Sequence, residues 1–318
     1  MKAAVLIELN KPLELMDVPL PKLGVGHVLV NIDIAGVCGS QRLEIQGLKN
    51  NTKFLPHMMG HEGCGIVEDI GSGVTKVKIG DKVVMHWRVG SGIEADFVKY
   101  GKVGAGKVTT FSEQAVVSEN RLTKIPHGVI SEYGALLGCA ITTAYGAVTH
   151  DANLQLGDSI LIIGYGGVGH AISKACSLRG AGKIDVYDVK PGFKSWQQIT
   201  QSKYDIIFDT VGIPSQFAKS IELLNSSGKY ILVGQDNPAN TLSIPNIGKF
   251  FDGNGKRLIA SQGGNTNPDI DIPKYCNLYL HHKDYATWFI SHKYPLEDVN
   301  TAIQQLSQPN TKRVILTI

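Results

Sequence analysis

Residues 159–188, SILIIGYGGVGHAISKACSLRGAGKIDVYD, decide the fold. The run Ser159 to Ile163 is apolar and short enough for a buried strand. A glycine-rich turn follows, then a helical stretch from Ala171 to Arg179, then a second strand from Lys183 to Tyr187. A strand, a crossover helix and a second strand make a βαβ unit, which implies a parallel sheet.

The turn itself, Gly164-Tyr165-Gly166-Gly167-Val168-Gly169, satisfies G-x-G-x-x-G. Gly164 permits the tight turn, Gly166 lets backbone approach a pyrophosphate, and Gly169 lets helix and strand pack closely; Gly167 and Val168 complete the loop and count with them as cofactor-binding candidates. In a chain with 36 glycines such a pattern is equally an ordinary turn. Context separates the two readings: a strand precedes it, a helix follows, and Asp188 closes the second strand. A carboxylate there accepts hydrogen bonds from ribose hydroxyls and repels a 2′-phosphate, which favours NAD over NADP. The competing reading of Asp188 is a solvated residue at a strand end.

Downstream, strands are predicted at Asp205–Phe208, Lys229–Val233 and Arg257–Ala260, with helices between them such as Gln216–Leu224. Upstream, from Lys2 to Val129, short strands broken by Gly, Pro and Asp (His27–Ala35, Gly65–Ile70, Lys82–Met85, Phe111–Val117) read as a β-rich, partly open barrel. The tail, a helix over Asp298–Leu306 and a strand over Arg313–Ile318, is too short to fold alone and is assigned to the first domain. The expected division is 1–140 with 262–318 as a catalytic domain and 141–261 as the dinucleotide-binding domain. Two cores suit the 318 residues.

Composition narrows the function. With 43% apolar and 19% charged residues the chain is a folded globular protein. A formal charge of +3 with scattered Lys and Arg argues against nucleic acid as a partner. No apolar run reaches the ~18 residues of a membrane span, and the N-terminus lacks a signal-peptide core, so a cytoplasmic location is expected. Five cysteines (Cys38, Cys64, Cys139, Cys176, Cys276) are then thiols or metal ligands rather than a disulfide framework.

Cys38 lies in Gly36-Val37-Cys38-Gly39-Ser40, His61 and Glu62 in Gly60-His61-Glu62-Gly63, and Cys139 in Gly138-Cys139-Ala140. Singly, Cys139 reads as a small buried hydrophobe and Cys38 or His61 as a turn residue. Jointly, with 60–84 (GHEGCGIVEDIGSGVTKVKIGDKVV), 138–147 (GCAITTAYGA), the dinucleotide loop and the closing 290–318, they resemble the medium-chain zinc-dependent alcohol dehydrogenases nearly end to end. The resemblance implies a GroES-like catalytic domain and a Rossmann domain, one catalytic zinc held by Cys38, His61 and Cys139, and NAD as cofactor. It makes Glu62 a carboxylate beside the metal, able to bind it while ligands exchange. Ser40 becomes the hydroxyl that bonds the substrate oxygen and begins proton removal, Thr143 lines the nicotinamide face, and Arg313 lies near the pyrophosphate. A surface Arg on the last strand is the competing reading of Arg313. Two thiolates neutralise a zinc ion, which suits a site that must polarise an alcohol or carbonyl oxygen.

Three departures from the family stand out. No cysteine occurs from Met85 to Thr110, where many relatives hold a structural zinc, so one zinc per chain is expected. Leu43 and Gln41 occupy positions where relatives often carry a proton-relaying His and a supporting Asp. Between Asp188 and Tyr204 only 15 residues intervene where the family fits a helix, a strand and a helix. The sheet is therefore expected to lack a strand, to leave the second strand as an edge, to cross over by a short helix within Pro191–Ser202, and to bind NAD more weakly.

The expected function is hydride transfer between an alcohol and NAD, with aldehyde or ketone as the oxidised partner. Trp87, Arg88 and Glu94 hint at a polyol or sugar-type substrate, although a plain surface loop fits them equally. A homodimer or homotetramer is expected, with neither nucleic acid nor membrane as partner. The rivals are a zinc-free NADPH reductase on the same fold and a degenerate nucleotide-binding regulatory protein.

Overall fold

A computed structural model describes residues 1–49, 52–235, 237, 239–282 and 288–318. The chain divides into two compact units, Met1–Thr142 with Asn267–Ile318, and Thr143–Thr266. Among the described residues no helix is long and apolar enough to cross a membrane.

The first unit is built on the long strand His27–Val37, which pairs with Glu62–Ile70, Gln114–Ser118 and Arg313–Thr317. The sheet runs Leu122–Lys124, Lys82–His86, Glu62–Ile70, His27–Val37, Arg313–Thr317, Ile290–Pro295. A smaller sheet holds Lys2–Leu6 between Glu14–Asp17 and His57–Met58.

Alternation along the long strand distributes its side chains between cores. Val28, Val30 and Ile32 join Val67, Val83, Met85, Ala115, Val117 and Leu122. Leu29, on the other face, packs with Ala3, Val5, Val98, Tyr100 and Val116. Past a register shift between Ile32 and Ile34, Ala35 and Val37 enter a third cluster with Met59, Phe111, Val299 and Val314. Phe111 explains why the strand predicted from that residue begins only at Gln114: its amide, like that of Thr110, is bonded to the Met59 carbonyl in a turn.

In the second unit five parallel strands run in the order Lys183–Tyr187, Ser159–Ile163, Tyr204–Asp209, Leu224–Leu232, Arg257–Ala260. The second strand is the edge, and a single short helix, Trp196–Ile199, lies in the crossover, as the short connection requires. Ser195 starts that helix with a capping box to Gln198. The helix after the glycine loop runs Gly167–Leu178, beginning earlier than Ala171 because the loop's own last residues complete its first turn. The stretch predicted as one helix over Gln216–Leu224 is a helix over Pro214–Ser220, a 3-10 turn over Ile221–Leu223, and the start of the fourth strand at Leu224.

The cysteine-free segment after His86 is organised by a carboxylate. Glu119 is fully buried and accepts from the amides of Thr75 (2.6 Å), Lys76 (2.7 Å) and Ile93 (2.7 Å). Ser118 Oγ accepts from Ala95 N at 2.9 Å beside it. Burial alone raises a carboxyl pKa, but the three amide donors outweigh it and hold Glu119 below its usual value. A group depressed on folding stabilises above its unfolded pKa, and that contribution is lost as pH falls through the folded value. Glu119→Gln should therefore lower the unfolding free energy of this unit at pH 7 by about 1–3 kcal/mol. Urea titrations at pH 7 and pH 3 check the origin: the gap between variant and wild type should close in acid, and an equal gap at both pH values would assign it to packing instead.

Candidate active site

Sheet register assembles the site. Ala35 lies opposite Gly63, and Val314 opposite Val37. The end of the long strand therefore places Cys38 beside the start of the strand that follows His61 and beside Arg313 at the head of the last strand. The third donor arrives from the turn after the helix Ser131–Leu136, where Cys139 immediately precedes the helix Ala140–Gly146.

One ligand atom from each of Cys38, His61 and Cys139 lies within 4.8 Å of the other two. All three side chains are half-buried, so the cluster remains reachable from solvent. The donor chemistry fits zinc: two sulfurs and one imidazole form the Cys₂His set that leaves a fourth position open. Cys139 hydrogen-bonds Cys38 and, with His61, holds the Cys38 thiol well below its usual pKa against burial. The Cys139 thiol is pushed up by that same contact and by burial. Burial opposes a proton on His61, yet the Cys38 sulfur and Glu62 outweigh it and raise its pKa. A cluster that stabilises positive charge on His61 and negative charge on sulfur is one that a cation satisfies.

Glu62 does not join the three donors. It is fully buried, one oxygen accepts from Arg313 Nη2, and the other accepts from Ala140 N at 3.1 Å. Burial pushes its carboxyl up, and the guanidinium pulls it back. Arg313, expected near the pyrophosphate, is 4% exposed and ion-paired with Glu62. Neither partner was visible from spacing, because 251 residues separate them.

Ser40 opens the helix Ser40–Ile45 two residues after Cys38 and is half-buried. Gln41, fully buried on the same helix, accepts from Cys38 N at 2.8 Å through Oε1 and so fixes the backbone of the first ligand. Thr143 is half-buried in the helix that begins after Cys139. Glu94 is bonded to Asn120 and ion-paired with Arg121 and Lys107, at 3.4 and 3.8 Å.

In the second unit the glycine loop has the form a dinucleotide requires. Gly164 has φ +84°, and a Cβ on Gly169 would stand 2.1 Å from the Gly164 carbonyl. A Cβ on Gly166, by contrast, would meet nothing within 4 Å. Its lack of a side chain leaves open space at the helix N-terminus, where a phosphate would approach. Asp188 accepts from Tyr165 N at 2.6 Å and Lys190 N at 3.0 Å, so it braces the loop. Thr210, which the sequence reading passed over, donates to Ile163 O and Gly164 O at 3.0 Å and closes the turn from the third strand.

Residues 24–127 match the alcohol dehydrogenase GroES-like domain, and residues 179–312 the zinc-binding dehydrogenase family. The S-(hydroxymethyl)glutathione dehydrogenase of Candida maltosa is 27% identical over 373 aligned positions, covering 100% of this chain and 97% of that protein. The class-3 alcohol dehydrogenase of Drosophila melanogaster is 28% identical, covering 99% and 97%. Both alignments exceed the 318 residues of this chain, so the relatives carry segments that it lacks. Benzyl alcohol dehydrogenase from Acinetobacter calcoaceticus shares the fold with a TM-score of 0.88 at 21% identity, covering 100% of this chain and 99% of that one. The two matched domains, the full-length relatives and the Cys38–His61–Cys139 cluster together place this chain in the medium-chain zinc-dependent alcohol dehydrogenase family.

Proposed function

We propose that this protein is a zinc-dependent oxidoreductase that moves a hydride between an alcohol and NAD. The observation that carries the reading is the convergence of two sulfurs and one imidazole, from three distant segments, within 4.8 Å of one another. When bound there, zinc supplies electrostatic polarisation of the substrate oxygen, and NAD, when bound at the glycine loop, supplies the hydride acceptor.

The chain's own residues supply the rest. Cys38 and Cys139 release their protons on metal binding, which keeps the pocket close to neutral. Ser40 Oγ accepts the hydroxyl proton of the alcohol, and Gln41 holds Cys38 and the helix start in place. Leu43 cannot pass that proton on, so its path leads from Ser40 through water. Gly166 leaves room for pyrophosphate, and Asp188 offers its carboxylate to ribose. A homodimer or homotetramer belongs to the same proposal, supported by the exposed edge strand Arg257–Ala260 with Leu258 uncovered. So does a cytoplasmic setting, supported by five free cysteines.

The Glu62–Arg313 pair keeps a carboxylate beside the metal set without leaving its charge unbalanced. Removing one member strands the other in a buried place. Arg313→Met should cost about 3–5 kcal/mol in denaturant unfolding of the zinc-loaded protein. The double variant Glu62→Gln/Arg313→Met should recover most of that loss. Additive losses would show the two to be independent.

Metal analysis tests the activity itself. Wild type should carry one zinc per chain, Cys38→Ser and Cys139→Ser less than a tenth of that, and Cys176→Ala as much as wild type. Alcohol-dependent NADH formation should fall on the order of a thousandfold in the first two. A metal-free wild type that still reduces carbonyls with NADPH would overturn the proposal.

A further inference from the structure

The shortened crossover leaves a question that its aromatic residues answer. The chain between Asp188 and Tyr204 has two aromatic side chains, Phe193 and Trp196. Trp196 packs edge-on against Tyr187, with ring centroids 5.1 Å apart, and both belong to the apolar core with Leu161, Ile163, Ile199 and Phe217. Phe193 is not among the residues of that core. It is half-buried, and its ring stands 5.1 Å from that of Tyr165 at an interplanar angle of 64°.

Tyr165 is the second residue of the glycine fingerprint. Its other ring partner is His170, with centroids 3.8 Å apart and planes tilted by 32°. The His170 ring is in turn tied to the loop, Nδ1 lying 3.1 Å from Gly166 O. The Tyr165 amide donates to Asp188 at 2.6 Å. Tyr165 is thus fixed at its backbone by the ribose-side carboxylate and at its ring by two neighbours.

Phe193 is fixed as well. Pro191 and Gly192, the latter at φ +94°, turn the chain back toward the loop. Immediately beyond, Lys194 is ion-paired with the buried Asp185, and Ser195 caps the helix. The sequence spends a turn, an ion pair and a cap to hold one half-exposed phenyl ring beside the glycine loop, where the core does not need it.

A dinucleotide on such a loop puts its pyrophosphate at the helix N-terminus and its adenosine ribose at the carboxylate ending the second strand. The base then lies beside the residues that follow that carboxylate. We propose that Phe193, buttressed by Tyr165, is the stacking platform for the adenine base, standing in for the wall that the missing strand and helices would supply. This rests on the reading of the loop as an NAD site. A flat π-face suits a purine, and the half-buried Phe193 ring keeps part of its surface open to one.

Calorimetric titration of the full chain with AMP and with nicotinamide mononucleotide, alongside NADH fluorescence, tests the assignment without turnover. Phe193→Ala and Phe193→Leu should each raise the Kd for AMP and NADH about tenfold, since leucine keeps the bulk but not the π-face. Phe193→Tyr should bind as wild type, and affinity for nicotinamide mononucleotide should not change in any variant. Should Phe193→Ala fail to fold, the leucine and tyrosine variants carry the comparison. Wild-type affinity for AMP in Phe193→Leu overturns the platform while leaving the NAD site intact. A wild-type chain that binds neither AMP nor NADH overturns both.

Discussion

The pocket at Cys38, His61 and Cys139 depends on charge neutrality. Ionised groups taken out of water are costly unless compensated, and here two sulfurs, an imidazole, a carboxylate and a guanidinium crowd together. Glu62 and Arg313 cancel each other through a buried ion pair. That leaves the two thiols, which a divalent cation neutralises when both are ionised. Contact between the sulfurs holds the Cys38 thiol low and the Cys139 thiol high in pKa, and the Cys38 sulfur and Glu62 raise that of His61, so these surroundings favour positive charge. The zinc assignment is therefore a statement about what balances these five side chains, and not only about three residues being close.

Such balance constrains the sheet that carries it. The long strand must end where it does, since Cys38 follows directly on Val37, which pairs with Val314 next to Arg313. Beyond the register shift between Ile32 and Ile34 the strand gives Ala35 and Val37 to a different core from the one that takes Val28, Val30 and Ile32. The buried Glu119 acts at a distance on the same sheet by fastening the loop after His86 to three backbone amides.

Local chemistry was legible in the sequence to the extent that it was local. The first two strands of the parallel sheet were readable to the residue, since Ser159–Ile163 and Lys183–Tyr187 are bounded by glycines and polar residues that stop them. The edge position of Lys183–Tyr187 followed from the length of the crossover alone. The metal set was legible through family motifs. What stayed hidden was pairing across long separations: nothing near Arg313 in sequence announces Glu62, and nothing near Phe193 announces Tyr165. A strand boundary was hidden too, because Phe111 looks like the first residue of a strand and is instead a core residue bonded to the Met59 carbonyl, ahead of the strand that begins at Gln114.

A parallel sheet that loses an outer strand exposes a row of unpaired backbone groups, and an exposed edge recruits other strands. This edge is blunted by charge. Lys183 stands at its start, and Asp185 points inward at its middle, bonded to the Tyr204 hydroxyl at 2.8 Å and ion-paired with Lys183 and Lys194. Burial works against the Asp185 carboxylate, but the two ammonium groups and the phenol hold its pKa below the usual value, so it stays ionised. An inward carboxylate cannot be docked flat against a second sheet without losing those partners, and Lys183 on the strand disfavours a like-charged neighbour. Lys194 belongs to the crossover itself, so the ion pair that closes the edge also fixes the residue after Phe193. Shortening the domain and rebuilding its cofactor wall are, in that sense, one change in the chain: the segment that replaced a strand seals the edge with one side chain and furnishes the adenosine end of the loop with the next.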